Sequence, residues 1–321
     1  MLPVLAAGDD WQRVLRDTPR VQLEPGATYT LGKSVELPDG CLIAGNGATI
    51  TVAHDTLAAF AITQRHDVRI RDVTFRGHAG DPAGTPPSFA HVALRIARST
   101  NVRVEDCDFS FWRGAAITLN GSVHDDYFAY RNRFIGNAFH HCYFGISIAD
   151  RAEYGQLVAN SFDGCRLAIW NSAGNWTIAD NLIVACHGGY YAIAQTSPYG
   201  HQSHDNWCHG TLVGNTFNHC NTNDQQNWAA QAAFAIGGVT RDPGRGVVVE
   251  GLLPPTFTGN TLWYSDIHAR DLAGTRWLLS GCVLSNLTVH CHGNVPIELA
   301  GTQANGIDNL PQLTGNVRAL F

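Results

Sequence analysis

Lysine is almost missing from this chain: Lys33 is the single one in 321 residues. Charged side chains of all kinds make up 15%, and the formal charge is −6, with a pI near 6.2. That balance offers no basic footprint for nucleic acid, so a polyanionic ligand would have to be met by local clusters. No apolar run approaches the roughly 18 residues that a membrane-crossing helix needs, so no membrane insertion is expected. The opening MLPVLAAGDDWQR has no basic n-region and too short an apolar run for a secretory signal. With Met1 as the only methionine, the expectation is synthesis in a cytosol and exit by another route. No two of the nine cysteines have CxxC spacing, which removes the common zinc frameworks.

What is present is repetition. Gly numbers 33, Asn is frequent, and the composition suits turn-rich β structure better than helix. The hexapeptide NSFDGC at 160–165 has counterparts NAFHHC at 137–142, NLIVAC at 181–186, NTFNHC at 215–220 and NLTVHC at 286–291. Aligning on the Asn position gives a column of Asn137, Asn160, Asn181, Asn215, Asn260, Asn286 and Asn316. Earlier in the chain, Val73 and Cys107 take the same place, and Asn46 is assigned to it as well. An apolar residue stands three positions before the column, and a small residue followed by Ile or Leu marks a second strand. Examples are Ala61-Ile62, Ala93-Leu94, Ala116-Ile117, Gly145-Ile146, Ala168-Ile169, Ala192-Ile193 and Ala235-Ile236.

Strand, Asn turn, strand and variable loop, with extra length entering at the loops, describe a single-stranded right-handed parallel β-helix of about ten coils. Each coil pairs with the next at about 4.8 Å, so equivalent positions stack on themselves. A buried Asn is stable only if its amide finds partners, and Asn stacked on Asn supplies them. Five cysteines share one repeat position, which reads as a row of small buried side chains, while bridging between neighbours stays open. Leucine-rich repeats and β-propellers are excluded by the spacing.

The stretch VQLEPGATYTLGKSVELPDGCLIAGNGATITV at 21–52 resembles the first coils of the pectate-lyase-like superfamily, which includes many phage tailspikes. DDWQRVLRD, with Trp11, Val14 and Leu15 on one face, resembles its N-terminal capping helix. The chain thus divides into a cap at 1–20 and a β-helix at 21–321, with loop insertions at 76–91, 121–131, 196–210, 221–232, 239–256 and 263–276. The resemblance implies a virion protein of a bacteriophage, a parallel homotrimer at the virion surface, that binds bacterial surface polysaccharide; whether it also depolymerises that polysaccharide stays open. Other virion proteins are the expected partners, and no cofactor is expected. A free extracellular polysaccharide hydrolase or lyase, and a non-catalytic virion decoration protein, are the alternatives. The fold itself hosts lyases, hydrolases, epimerases and binders alike.

Glycoside hydrolysis needs two carboxylates roughly 5–10 Å apart across the substrate. Asp126 with Asp150, and Glu153 as substitute, follow second strands in neighbouring coils and form the candidate acid/base set. Trp170 follows inward-facing Ile169 and so points outward; with Tyr190, Tyr199, Trp207 and Arg151 it forms a candidate saccharide-binding stripe. Asp163, after its turn, reads as a solvated residue. Lyase chemistry would call on Arg151 or Arg166, because Lys33 lies in an early coil, and no outward row of aspartates suggests calcium. HQSHDNWCH at 201–209 matches no familiar zinc spacing. His141, His219 and His290, each just before a cysteine, read as turn residues, so no metal site is expected.

Overall fold

The computed structural model describes residues 2–78, 80, 85–122, 129–193, 199, 209–220, 234–236, 239–241, 246–303 and 310–320. A typical coil runs through the strands Gln156–Val158, Ser161–Asp163 and Leu167–Asn171. The first two are three residues long with only the middle residue fully buried, so one apolar side chain per strand is enough to turn it inward. All coil-to-coil pairings are parallel, gathering into a 21-stranded sheet and an 11-stranded sheet. This is the parallel β-helix expected from the repeat.

The interior consists of ladders of like residues. Phe75, Phe109, Phe139 and Phe162 are successive register partners, stacked nearly parallel with centroids 5.0, 5.1 and 4.6 Å apart. A second ladder runs through Ile117, Ile146, Ile169 and Tyr190. The lower end is closed by the helix Trp11–Asp17, whose N-cap Asp10 accepts from the Gln12 and Arg13 amides. Its Trp11 packs 5.5 Å from Tyr29 and 5.4 Å from Phe60. The cap is more than a helix, because Val4–Leu5 adds a parallel strand beside Arg20–Leu23. No helix among the described residues is long and apolar enough to cross a membrane.

The asparagine ladder is real over five coils. Asn160 Oδ1 accepts from both the amide and the Nδ2 of Asn137, and Asn181, Asn215 and Asn260 repeat the pattern upward. Each Nδ2 also donates to a main-chain carbonyl, such as Asn181 to Leu157. The residue before each ladder position is left-handed, from Gly136 through Ala159 and Asp180 to Gly214 and Gly259, which makes the sharp turn between the two strands.

The register corrects several sequence assignments. Thr261 pairs with Val283, so Cys282 and not Asn286 continues the Asn column; Asn286 sits at the following corner. Val283 also bridges to Gln303, while Asn316 precedes a strand partnered by Ile297–Ala300, in another column. A bulge between Ala44 and Ala48 puts Ala48 opposite Val73 and displaces Asn46. NLTVHC is therefore not a copy of the motif: Ser265 takes the cysteine's place after Cys220, and Cys291 lies in the 11-stranded sheet beside Ala269. Phe60, not Ile62, pairs with Leu94, and Tyr190, not Ile193, pairs with Ile169. Ala235-Ile236 belongs to a separate antiparallel hairpin with Val239–Arg241, and the coil strand there is Gly246–Glu250. Two segments expected to be loops, 239–256 and 263–276, thus contain the sheet strands Gly246–Glu250 and Ile267–Arg270.

The described cysteines are all free and buried. Thiols such as Cys165 and Cys220 point at the carbonyls of Phe139 and Ile183 one coil below. Burial pushes Cys41, Cys107 and Cys220 up to about 12, so the reactive thiolate is scarce at neutral pH. The expected result with a thiol-specific chromogenic reagent at pH 8 is fast reaction of at most one thiol in the native protein. All nine react after denaturation. Several fast native thiols would contradict the sealed row.

Candidate functional site

The 11-stranded sheet turns one face outward, and register places one outward column along it. That column runs Arg95, Thr118, Ser147, Trp170, Tyr191, Val248, His268 and His290. Trp170 does point away from the core, as its neighbour Ile169 requires. It is nonetheless fully buried, as is Tyr191, in a second apolar cluster outside the sheet. Phe144 meets Trp170 at 6.3 Å and Tyr199 at 5.8 Å, and Phe89 closes on Tyr199 at 5.8 Å, all edge-on. Burial raises the pKa of the Tyr199 phenol well above its ordinary value. Tyr190 faces the other way, into the core. The expected aromatic stripe is therefore a covered apolar box in the described structure; Trp207 lies outside the described residues.

The proposed carboxylates are treated differently by the fold. Asp126 lies outside the described residues. Asp150 and Arg151 are consecutive left-handed residues, with φ of 50° and 58°, in the turn after the strand Phe144–Ala149. Asp150 is half-buried and its Oδ2 accepts from Asn120 Nδ2 at 2.9 Å; the same Nδ2 donates to the Tyr199 carbonyl. Gly121 makes this turn possible, since a Cβ there would stand 2.1 Å from the Asp150 oxygen. Glu153 is fully buried, 3.7 Å from the Arg151 guanidinium and 3.4 Å from Asn175 Nδ2. A carboxylate so enclosed and paired clamps its own turn. Asp150, Arg151, Glu153 and Tyr199 are thus brought together, but as a joint between coils.

Open polar chemistry lies on another face. The outward column of the second strands runs Ser110, His140, Asp163, Val184, Asn218, Trp263 and Ser285. Near one end His140 lies 3.4 Å from Asp108 and 3.9 Å from Asp163. The hydrogen bond with Asp108 is the main cause of a raised His140 pKa. Toward the other end Trp263 is 41% exposed and stacks on Tyr264 at 5.9 Å, which in turn lies 4.7 Å from His219. The sequence carried a signal for part of this. His140 and Asp163 fill the same fourth position of NAFHHC and NSFDGC, where an alternating strand points outward. Trp263 was hidden by being placed at the start of a loop.

His140 also gives a pH expectation. Its folded pKa is raised, so its stabilising contribution is present in full below the unfolded value near 6.5 and fades as pH rises through the folded value. An NMR titration should show His140 titrating above 6.5 and dropping toward that value in Asp108→Asn; an unchanged midpoint would refute the pairing.

Comparison with known proteins follows the same lines. Residues 3–197 match the family model described as adenovirus EB1 55K protein / large t-antigen, and the chain belongs to that family. No curated protein matches the chain. Among solved structures, the endo-xylogalacturonan hydrolase of Aspergillus tubingensis superposes with a TM-score of 0.61 at 12% identity, covering 97% of this chain and 95% of that one. The catalytic unit of a thermostable GH87 α-1,3-glucanase from Streptomyces thermodiastaticus strain HF3-3 gives 0.58 at 14%, covering 98% and 67%. A weaker likeness, 0.49 at 11%, covering 95% and 64%, is to a tailspike protein of Escherichia coli bacteriophage HK620 in complex with a pentasaccharide. At these identities the first two likenesses establish the shared fold alone.

Proposed function

We propose that this chain is a viral β-helix protein that holds a polysaccharide along its open second-strand face by binding, without cleaving it. The observation that carries the reading is the outward column from His140 to Trp263, exposed at Asp163 and Trp263 and half-buried between. It offers an aromatic platform and hydrogen-bonding side chains on a rigid rod, the combination that saccharide recognition uses. Family membership supports a viral origin, under an adenoviral and not a bacteriophage family name. The two β-helix structures named as a glucanase and a xylogalacturonan hydrolase support polysaccharide as the ligand class. The sealed, ion-paired Glu153 argues against hydrolysis at the turn after Phe144–Ala149. Placement at the virion surface, contact with other virion proteins and assembly as a parallel homotrimer belong to the proposal as well.

The test is a glycan array followed by calorimetry with the best oligosaccharide. Trp263→Ala should weaken binding roughly tenfold, the upper worth of one aromatic contact. Undiminished binding would place the site elsewhere. Light scattering should give three times the 34.8 kDa chain mass, and a monomer would sink the trimer. A second reading, hydrolysis, is favoured by one observation: two carboxylates, Asp108 and Asp163, flank His140 on the open face. Release of reducing ends that Asp163→Asn abolishes and Asp150→Asn leaves intact would decide for it.

A further inference from the structure

Two coils from the C-terminal end, the outward column changes character from apolar to imidazole. His268 and His290 are register partners on the strands Ile267–Arg270 and Thr288–His292, and their rings stack at 4.5 Å, within 5° of parallel. Asp266 stands two residues before His268, on the same face by strand alternation. One carboxylate oxygen of Asp266 and one nitrogen from each imidazole all lie within 4.8 Å of one another, and all three residues are half-buried. No ion is present.

We propose that Asp266, His268 and His290 form a divalent transition-metal site, with zinc as the ion that their chemistry suits best. Two neutral imidazoles and a carboxylate are the donor set that such ions prefer, and three protein ligands leave a coordination position for water or a ligand group. The surroundings orient the donors as outer-shell partners do in metal sites. The Thr288 amide donates to Asp266 Oδ1 at 2.7 Å and fixes that carboxylate. Thr314 Oγ1 donates to the Val289 carbonyl, so it accepts from His290 Nδ1–H at 2.9 Å. That sets the tautomer and leaves Nε2 with the free lone pair.

An in-plane lone pair on each of two parallel stacked rings cannot meet at one ion, so binding requires the rings to turn about χ2, a soft torsion for histidine. Arg270, on the same strand as His268, is turned toward Glu250, with Nη1 and Oε2 3.5 Å apart. An open depression of about 360 Å³, lined by Asp266, Thr288 and Tyr264 among others, adjoins the carboxylate side of the set. The site is independent of the polysaccharide reading, since its column lies on the other sheet.

Calorimetry with zinc chloride on the metal-free full chain tests the site, with cobalt(II) as a spectroscopic probe. The expected result is one equivalent of zinc bound at this site and a cobalt spectrum without thiolate charge transfer. His268→Ala, His290→Ala and Asp266→Asn should each weaken that equivalent at least tenfold, because loss of an outer-shell partner alone costs about 10–100-fold. His292→Ala, a neighbour outside the set, should leave it unchanged. Circular dichroism and thermal melting establish that each variant is folded. Zinc binding that persists undiminished in the folded His268→Ala/His290→Ala double variant, or no zinc binding by the wild type, overturns the proposal.

Discussion

Asn181→Ala lowers stability by about 3–5 kcal/mol, read as a shift of the urea midpoint at constant slope. The side chain carries four hydrogen bonds at a fully buried turn. Its Oδ1 receives the amide and the Nδ2 of Asn160, and its Nδ2 donates to Leu157 and to Asn215 Oδ1. Truncation strands the Asn160 amide and the Leu157 acceptor, at about 1–3 kcal/mol for each buried group left unsatisfied, and opens a cavity, while Asn160 Nδ2 keeps the Phe134 and Val158 carbonyls. Because each coil touches mainly its neighbours, hydrogen exchange should report the loss in the coils of Asn160 and Asn215 and spare the helical cap. Asn286→Ala is the control. It stands outside the ladder at a left-handed corner, φ 53°, where alanine costs about 1–2 kcal/mol. Equal losses at the two positions would mean that the ladder is not the source.

The same ladder explains why so much of the fold was legible. In a parallel β-helix the partner of a residue is its equivalent one coil away, so repeating columns in sequence are stacking columns in space. Asn137, Asn160, Asn181, Asn215 and Asn260 could be ordered by inspection for that reason, as could the phenylalanines two residues after most of them. Legibility failed where the period was broken. Between Tyr191 and Val248 the coil strands Thr211–Val213 and Thr216–Asn218 keep the repeat, but for the strand that follows them local pattern alone chose Ala235-Ile236 instead of Gly246–Glu250. The bulge at Ala44–Ala48 displaced Asn46 in the same manner.

The candidate site was harder to read for a different reason. Alternation says which way a side chain points, not what lies over it. Trp170 points outward and is buried; Trp263 points outward and is exposed. Nothing in the flanking residues distinguishes them, because the difference is made by segments distant in sequence, such as Phe89 and Tyr199. Glu153 illustrates the converse. A carboxylate after a strand resembles a catalytic residue until Arg151 and Asn175 are seen to close around it. The Asp266, His268 and His290 set needed the register of two strands within segments that looked like loop and motif.

Phe139→Ala is expected to cost about 3–5 kcal/mol, the usual loss for a buried aromatic ring truncated to a methyl group. Phe139 is the middle ring of a continuous stack, 5.1 Å from Phe109 and 4.6 Å from Phe162, and has no exposed surface. Each ring rests on the strand of its own coil, and those strands are held at a fixed spacing by their ladder hydrogen bonds. The coils therefore cannot collapse into the space a ring leaves, and the cavity persists. Phe139→Leu refills most of that volume but gives up two offset-stacked contacts worth about 0.5–1.5 kcal/mol each, so an intermediate loss of roughly 1–3 kcal/mol is expected. Trp263→Ala removes a larger ring from an exposed site and should stay within about 0.5 kcal/mol of wild type. The ordering Phe139→Ala, Phe139→Leu, Trp263→Ala, measured by urea titration of the three variants, separates the ring that builds the rod from the ring it presents. A Trp263→Ala loss as large as that of Phe139→Ala would assign Trp263 to the packing and remove it from the binding face.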